Sequence, residues 1–242
     1  LPGLREERLP VFAGGLAIMS AVFTELSLKK MTLAEGALRQ GVLWDLLGRV
    51  HHRDIREVTV DQFVRRYHVD QVQSQRVARL ARELHRQLEP VRDEKVSGAE
   101  AFLEWAARLH EIGISISQGA YHKHTAYILA NADMPGFSRQ EQGWLSNLVL
   151  AQRGRLLKMR GVFEDDPSLA TLAVCLRLAV ILYRSRRTLK LPALRLAYRG
   201  KGYRLEVDGG WLAANTLVAI ALEAERGEWD SVGLAFEVQE SG

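Results

Sequence analysis

The segment Glu104–Ser117, with the sequence EWAARLHEIGISIS, decides how the central part of the chain folds. Its apolar residues recur at helical spacing, which predicts a helix with one buried face, and Gly113 is placed to act as its C-cap. The adjacent His110 and Glu111 could hold a metal ion, since imidazole and carboxylate groups are common ligands. They could also hydrogen-bond within a helical core. The segment therefore poses two alternatives, a metal centre or a purely structural helix.

The neighbouring helical segments bear on this choice. In helical phosphohydrolases of the metal-dependent HD type, further ligands come from separate helices. Here the corresponding positions carry Gln73 and Val180. A valine has no donor atom, and an apolar side chain disfavours a nearby ion. We therefore predict that this part of the chain binds no metal ion. If a metal ion did bind here, His110 and Glu111 would be the candidate ligands.

Charge is unevenly distributed along the 242 residues, although 33 basic and 29 acidic residues give a net charge of only +4. Residues 142–163 and 167–205 contain no acid, and the second span carries nine basic residues. Residues 206–242 then contain eight acids and one basic residue, Arg226. This segregation predicts a positive surface that attracts a polyanion. The alternative is a solvated face that acids elsewhere in the fold neutralise.

Two groups of residues are candidates for phosphate binding. The motif YHKH places His122, Lys123 and His124 at a predicted helix start, where free N–H groups favour anions. The alternative is a polar loop with one packed histidine. The second group consists of basic residues in QRGRLLKMRG and LYRSRR, since arginine forks suit phosphate oxygens. Its members are Arg153, Arg155, Lys158, Arg186 and Arg187.

Hydrophobic periodicity divides the chain into three segments. Residues 1–50 read as helix, a short strand around Met31 and helix, which is typical of the edge of a larger α/β domain. Residues 54–187 read as helix throughout, with a helix start at Thr59, an N-cap at Asp70, a capping box at Ser138 and a helix start at Pro167. Residues 191–242 read as two strands joined at GKG, a helix and a strand, which predicts a small α+β unit.

Composition narrows the class of protein. No run of about 18 apolar residues is present, so we expect no membrane span. The single Cys175 lies in an apolar helical pattern and is expected to be a buried thiol, which fits a reducing cytoplasm. The five tryptophans form no stacking ladder, which makes nucleic acid an unlikely partner. The first residues, LPGLREERLP, lack Met and a signal pattern, and lead us to expect a piece of a longer protein.

The chain resembles the C-terminal half of proteins of the exopolyphosphatase / guanosine pentaphosphate phosphohydrolase family. The matching stretches occur in family order and cover almost the whole chain: GALRQGVLWDLLGR, RYHVD, RVARLA, WAARLHEIGISIS, YHKHTAYILANADMPGFSRQEQ and LRLAVILYRSRR. The resemblance implies a mainly α protein in which residues 1–50 end an actin-like, sugar-kinase-type domain. Residues 54–187 would form an HD-like helical domain without its metal, and residues 191–242 a small α+β C-terminal domain.

The resemblance also implies a function. The parent enzyme would be an exopolyphosphatase that releases terminal orthophosphate from inorganic polyphosphate, with its catalytic residues and Mg²⁺ in N-terminal domains outside this chain. This piece, without a cofactor of its own, would bind the polyphosphate and form a homodimer. The Gly14-Gly15 pair fits a nucleotide-type motif, or else close helix packing.

Three alternatives remain open. The first is a C-terminal module of a guanosine pentaphosphate phosphohydrolase. The second is a genuine HD-type metallophosphohydrolase, and the third is an interaction domain whose basic face binds an acidic protein or RNA.

Overall fold

A computed structural model describes residues 6–31, 54–88, 98–187 and 190–241. The chain divides into two compact units, Leu1–Leu47 and Gly48–Gly242. The described part is mainly helical with one three-stranded sheet, which confirms the prediction of a mainly α protein. Within this part, no helix is both long and apolar enough to cross a bilayer.

The described residues of the first unit form a 3-10 turn, Glu6–Arg8, and helix α1, Leu9–Glu25. The strand predicted around Met31 is wrong over residues 28–31, which adopt no regular structure. A strand needs a partner to satisfy its backbone groups, and the described part of this unit offers none. The remainder of that strand, the helix predicted after it and the predicted boundary at 50–54 lie outside the described residues.

Helices dominate the first part of the second unit. They are α2 (Ile55–Arg66), α3 (Gln71–Gln87), α4 (Ala99–Leu109), α5 (Tyr121–Asn131), α6 (Arg139–Ala151), α7 (Arg160–Asp165) and α8 (Pro167–Leu182), with 3-10 turns at Ile112–Ser115 and Leu156–Met159. Helix α8 packs on α3, α4 and α6. It is buried along most of its length because its sequence is apolar on all faces, and Cys175 lies fully inside it.

Most helix starts follow their predicted caps. The side chain of Asp70 accepts a hydrogen bond from the backbone of Gln73 at 3.0 Å, and Ser138 begins a complete capping box. Pro167 is the first residue of α8. The start predicted at Thr59 is wrong, because Asp54 caps α2 and the helix therefore begins at Ile55.

Gly113 is not the C-cap of α4, which ends at Leu109. It lies in the 3-10 turn that follows, and its amide donates to Thr125 Oγ1 at 3.0 Å. A Cβ built at this position would lie 2.5 Å from Thr125 N and closer still to Tyr121 O. The glycine therefore permits a backbone approach that brings the start of α5 against the segment containing His110.

The last part of the second unit contains the sheet. Its elements are β1 (Arg195–Arg199), β2 (Gly202–Asp208), α9 (Gly209–Ala214), α10 (Thr216–Asp230) and β3 (Ala235–Ser241). Strands β1 and β2 form the predicted antiparallel hairpin, and β3 pairs with β2 in parallel. The ring of Trp229 stacks on Phe163 at 6.0 Å, and Tyr203 OH lies 3.2 Å from Thr171 Oγ1. The domain boundary predicted between residues 187 and 191 falls where the helices give way to the sheet, within the unit Gly48–Gly242, and it stays a prediction.

Candidate functional site

The first turn of α5 carries the YHKH residues, as predicted. Ala120 caps the helix in the left-handed conformation, with φ of 53°. His122 is buried, Lys123 is exposed and His124 is half-buried. Residues two apart on a helix do not share a face, so His122 and His124 point in different directions. The motif therefore supplies one packed histidine and one exposed lysine to the same surface, not a cradle of three equivalent groups.

The loop after α6 packs against His122. Gly154 has φ of +74°, and a Cβ at this position would lie 3.3 Å from His122 Nε2 and 4.0 Å from Lys158 Nζ. The amine of Lys158 donates to the carbonyl of Arg153 at 3.3 Å. The turn at Gly154 thus gathers side chains from two separate motifs. We call Lys123, His122, Arg153 and Lys158 the basic strip.

Electrostatic repulsion is built into the basic strip. Burial, together with the charges of Lys158, Arg153 and Lys123, lowers the pKa of His122 to about 4, so the ring is neutral at pH 7. Partial desolvation of Lys158 lowers its pKa to about 8, assisted by Arg177 and Lys123 and opposed by Glu228. Among the described residues, Lys123, Arg153 and Lys158 form no ion pair within 4.0 Å. A bound anion would relieve this repulsion.

His110 is held as part of the core. Its Nδ1 lies 2.6 Å from the carbonyl of Ala107, which makes Nδ1 the protonated nitrogen. Its own carbonyl accepts from Gln152 Nε2 at 2.8 Å and from Thr125 Oγ1 at 3.2 Å. Burial lowers the pKa of His110, although the nearby Glu111 opposes this shift, so the ring is neutral. These contacts favour the structural alternative for the His-Glu pair.

Glu111 is neutralised by an arginine. Arg186 Nη2 donates to Glu111 Oε1 at 2.5 Å, and Arg186 Nη1 donates to Asp70 Oδ2 at 3.2 Å. Arg186 adopts φ of 56°, a left-handed conformation that costs a non-glycine residue roughly 1–3 kcal/mol. Two carboxylates therefore hold this residue in a strained position. The sequence offered no signal for this partnership, since the residues lie 75 and 116 positions apart.

Gln73 and Val180 do come together with His110 and Glu111, as the HD comparison predicted, around a pocket of about 210 Å³. Gln73 Nε2 donates to the carbonyl of Tyr183 at 2.9 Å. Within the ranges that the structure describes, no three His, Cys, Asp or Glu side chains are close enough to hold a metal ion. The guanidinium of Arg186 lies against the carboxylate that a metal would need. These residues therefore do not fit Mg²⁺.

The remaining predicted phosphate ligands are more scattered. Arg155 is exposed in the same loop as Arg153. Arg187 is exposed, and its carbonyl accepts a hydrogen bond from Arg76 at 3.3 Å. Several basic residues of the span 167–205 pair with acids of the tail, as the neutralised-face alternative predicted. These pairs are Arg177–Glu225, Arg195–Glu206 and Arg204–Glu237. The charge segregation therefore produces both paired arginines and an unpaired strip.

The described residues thus form a helical unit in which Lys123, Arg153 and Lys158 have no ion pair within 4.0 Å and no cluster of metal-binding side chains occurs. Residues 55–226 match the family model described as "Ppx/GppA phosphatase, domain III", and residues 1–50 match "Ppx/GppA phosphatase family". The chain belongs to the Ppx/GppA phosphatase family, which confirms the resemblance noted from the sequence.

Curated relatives carry one recurrent name. A protein of Pseudoalteromonas translucida named guanosine-5'-triphosphate,3'-diphosphate pyrophosphatase is 40% identical over 237 residues, which are 96% of this chain and 47% of the relative. A protein of the same name from Aeromonas hydrophila is 38% identical over 229 residues, which are 93% of this chain and 46% of the relative. The chain spans about half the length of the curated relatives that it matches.

Proposed function

We propose that this chain is the C-terminal half of a hydrolase that acts on phosphoanhydride bonds, and that its part is to bind the phosphate groups of the substrate. The observation that carries the proposal is the basic strip. Its lysine and arginine charges lie close enough to lower the pKa of His122, yet they form no ion pair within 4.0 Å among the described residues. Positive charges held close together repel one another, and a bound anionic ligand removes this unfavourable energy. Catalysis then belongs to residues outside this chain.

The substrate that we favour is guanosine-5'-triphosphate,3'-diphosphate, because the relatives described above are named for it. Inorganic polyphosphate, which the sequence analysis favoured, is the second candidate. It is supported by the continuation of the basic strip, through Arg153, into a pocket lined by Arg184 and Arg186. A chain of phosphates could follow this surface from Lys123 onward.

The other expectations from the family resemblance enter the proposal unchanged. Helices α2 to α8 would form an HD-like domain, and residues 1–50 would complete an actin-like domain. Mg²⁺ and the catalytic carboxylate would lie in the remainder of a cytoplasmic, homodimeric enzyme. In α1, no described atom lies within 4 Å of a Cβ at Gly14 or Gly15, so close packing has no partner among the described residues. The nucleotide-type role of this glycine pair stays a prediction.

Two alternatives have less support. A genuine HD-type metallophosphohydrolase would need Glu111 free for a metal, whereas Arg186 is bonded to it. An RNA-binding domain would need exposed aromatic faces. The rings of Phe102, Trp105 and Trp229 instead pack within the core, although Tyr127 is 68% exposed.

Replacing Lys158 with glutamine tests the proposal. We expect this variant to bind guanosine-5'-triphosphate,3'-diphosphate and long polyphosphate about tenfold more weakly at low salt, since a hydrogen bond to a charged group contributes about 1.5–3 kcal/mol. Titration calorimetry on both ligands measures the effect and identifies the preferred substrate. Arg195→Gln is the matched control, because it removes one positive charge from a side chain that is 78% exposed. Equal weakening of ligand binding in the two variants, or unchanged binding in Lys158→Gln, would rule out the basic strip as the phosphate-binding surface.

Phosphate binding should depend on pH through Lys158. Below its pKa of about 8 this amine is charged and attracts phosphate, and above that value it loses its proton. Bound phosphate favours the charged form and raises the pKa, so the affinity of the wild-type chain should decline as pH rises through about 8 to about 10. Dissociation constants measured across this range for the wild type and for Lys158→Gln should converge at high pH. A constant ratio between them would contradict this assignment.

A further inference from the structure

The pocket of about 210 Å³ beside the basic strip has the lining of an anion site. It lies between the first residue of α5, Tyr121, and the residues that follow α8. Three guanidinium groups border it, from Arg153, Arg184 and Arg186. The rest of its polar wall consists of the side chains of Gln73, His110, Glu111, Gln118 and Tyr121. Guanidinium groups pair with phosphate oxygens through two parallel hydrogen bonds, which favours this class of ligand.

The charges around the pocket do not cancel. Arg186 is already neutralised, because it donates to Glu111 and Asp70. Arg153 and Arg184 form no ion pair with a described residue. The guanidinium of Arg153 also lies 5.3 Å from the centre of the Tyr121 ring, which holds it at the pocket. Three guanidinium charges against these two carboxylates leave a net positive charge for a ligand, carried by Arg153 and Arg184.

The pocket also offers a neutral donor. Burial raises the pKa of Tyr121, and the charge of Glu111 raises it further, so the hydroxyl keeps its proton and can donate to an oxyanion. The buried tyrosine side chain would make the site selective for geometry as well as charge.

Size limits the ligand that the pocket can hold. Its volume of about 210 Å³ is smaller than that of a typical ligand pocket. Drug-sized ligands usually occupy about 300–1,000 Å³. A diphosphate group suits this space, whereas a whole nucleotide or a long phosphate chain would extend beyond it.

We propose that the pocket bordered by Arg153, Arg184 and Tyr121 is a second phosphate site, which binds a diphosphate group. The inference rests on the proposed function, because it assumes that this face of the protein takes phosphate-rich ligands. The diphosphate could be that of a guanosine nucleotide or the end of a polyphosphate chain. Lys158 belongs to the basic strip and Arg184 to the pocket, so the two sites can be tested separately.

Inorganic pyrophosphate is the probe, titrated calorimetrically into the full 242-residue chain. We expect Arg184→Gln to raise the dissociation constant about tenfold, as loss of a charge-assisted hydrogen bond requires. Tyr121→Phe removes only the hydroxyl and should raise it severalfold. Arg195→Gln, the control outside both sites, should change it less than about twofold. Guanosine 5'-diphosphate and tripolyphosphate are then added as competitors. Stronger displacement of pyrophosphate by the first indicates a nucleotide diphosphate as the ligand, and stronger displacement by the second indicates the end of a polyphosphate chain.

Two results would overturn the inference. One is the absence of pyrophosphate binding at low salt, and the other is equal weakening by Arg184→Gln and Arg195→Gln, which would indicate general charge attraction. Failure of the proposed function gives a different pattern, in which Lys158→Gln leaves the affinity for long polyphosphate unchanged. Far-ultraviolet circular dichroism of each variant confirms that the fold is intact, and Arg184 is exposed, so its replacement should leave the fold in place.

Discussion

Replacing Arg177 with methionine should lower the free energy of unfolding by about 3–5 kcal/mol, because it leaves the buried carboxylate of Glu225 without its charged partner. Arg177 is 3% exposed, and its guanidinium donates to both oxygens of Glu225, at 2.6 and 2.5 Å. It also donates to the carbonyls of Ala151 and Gly154, at 2.7 and 3.0 Å. All of these acceptors would lose a donor together.

Urea unfolding followed by circular dichroism measures this loss. Arg204→Met is the matched control, because Arg204 pairs with Glu237 at 3.1 Å on the surface, where such a pair contributes about 0–1 kcal/mol. Since Arg177 holds the turn at Gly154, its replacement should also weaken phosphate binding by the basic strip. Similar unfolding midpoints for the two variants would mean that the buried pair does not stabilise this turn.

Replacing Gly113 with alanine should cost at least about 3 kcal/mol of stability, at the upper end of the usual cost of overpacking. The new Cβ would lie 2.5 Å from Thr125 N and still closer to Tyr121 O, and both are backbone atoms that no side-chain rotation can move. Relief requires the start of α5 to shift, and this helix carries His122 and Lys123.

Thermal unfolding of the purified variant checks this expectation. Gly143→Ala is the control, since Gly143 lies within α6 with nothing within 4 Å of an added Cβ. That change should stabilise the chain by about 0.5–1 kcal/mol, because alanine is the better helix former. A melting temperature for Gly113→Ala at or above the wild-type value would show that the close approach is not required.

Local features of the fold could be predicted because they depend on nearby residues. Asp70 and Ser138 cap helices through contacts three residues away, and Pro167 suits a first helical turn whatever its surroundings. Gly113 was assigned to the wrong role because a C-cap and a close backbone approach both select glycine. Only the position of α5 distinguishes the two.

The candidate site could be predicted in composition but not in arrangement. The motifs pointed to His122, Lys123, Arg153 and Lys158, and the turn at Gly154 brings them together. That His122 is neutral follows from burial, which the sequence does not reveal.

Ion pairs between distant residues were also beyond the sequence. The pairing of Arg186 with Glu111 depends on how α8 lies against α4. The opposite charges of residues 167–205 and 206–242 predicted that some basic residues of the first segment would pair with acids of the second. They could not specify that Arg177 is paired and Lys158 is not.

The central claim is that the basic strip neutralises phosphate groups of the ligand. The most direct test is the salt dependence of long-polyphosphate affinity for the wild type and Lys158→Gln, because the slope of log affinity against log salt reports the number of phosphate contacts. We predict a steep decline for the wild type and a slope shallower by about one contact for the variant. Parallel lines, or a wild-type affinity that salt does not change, would contradict the account.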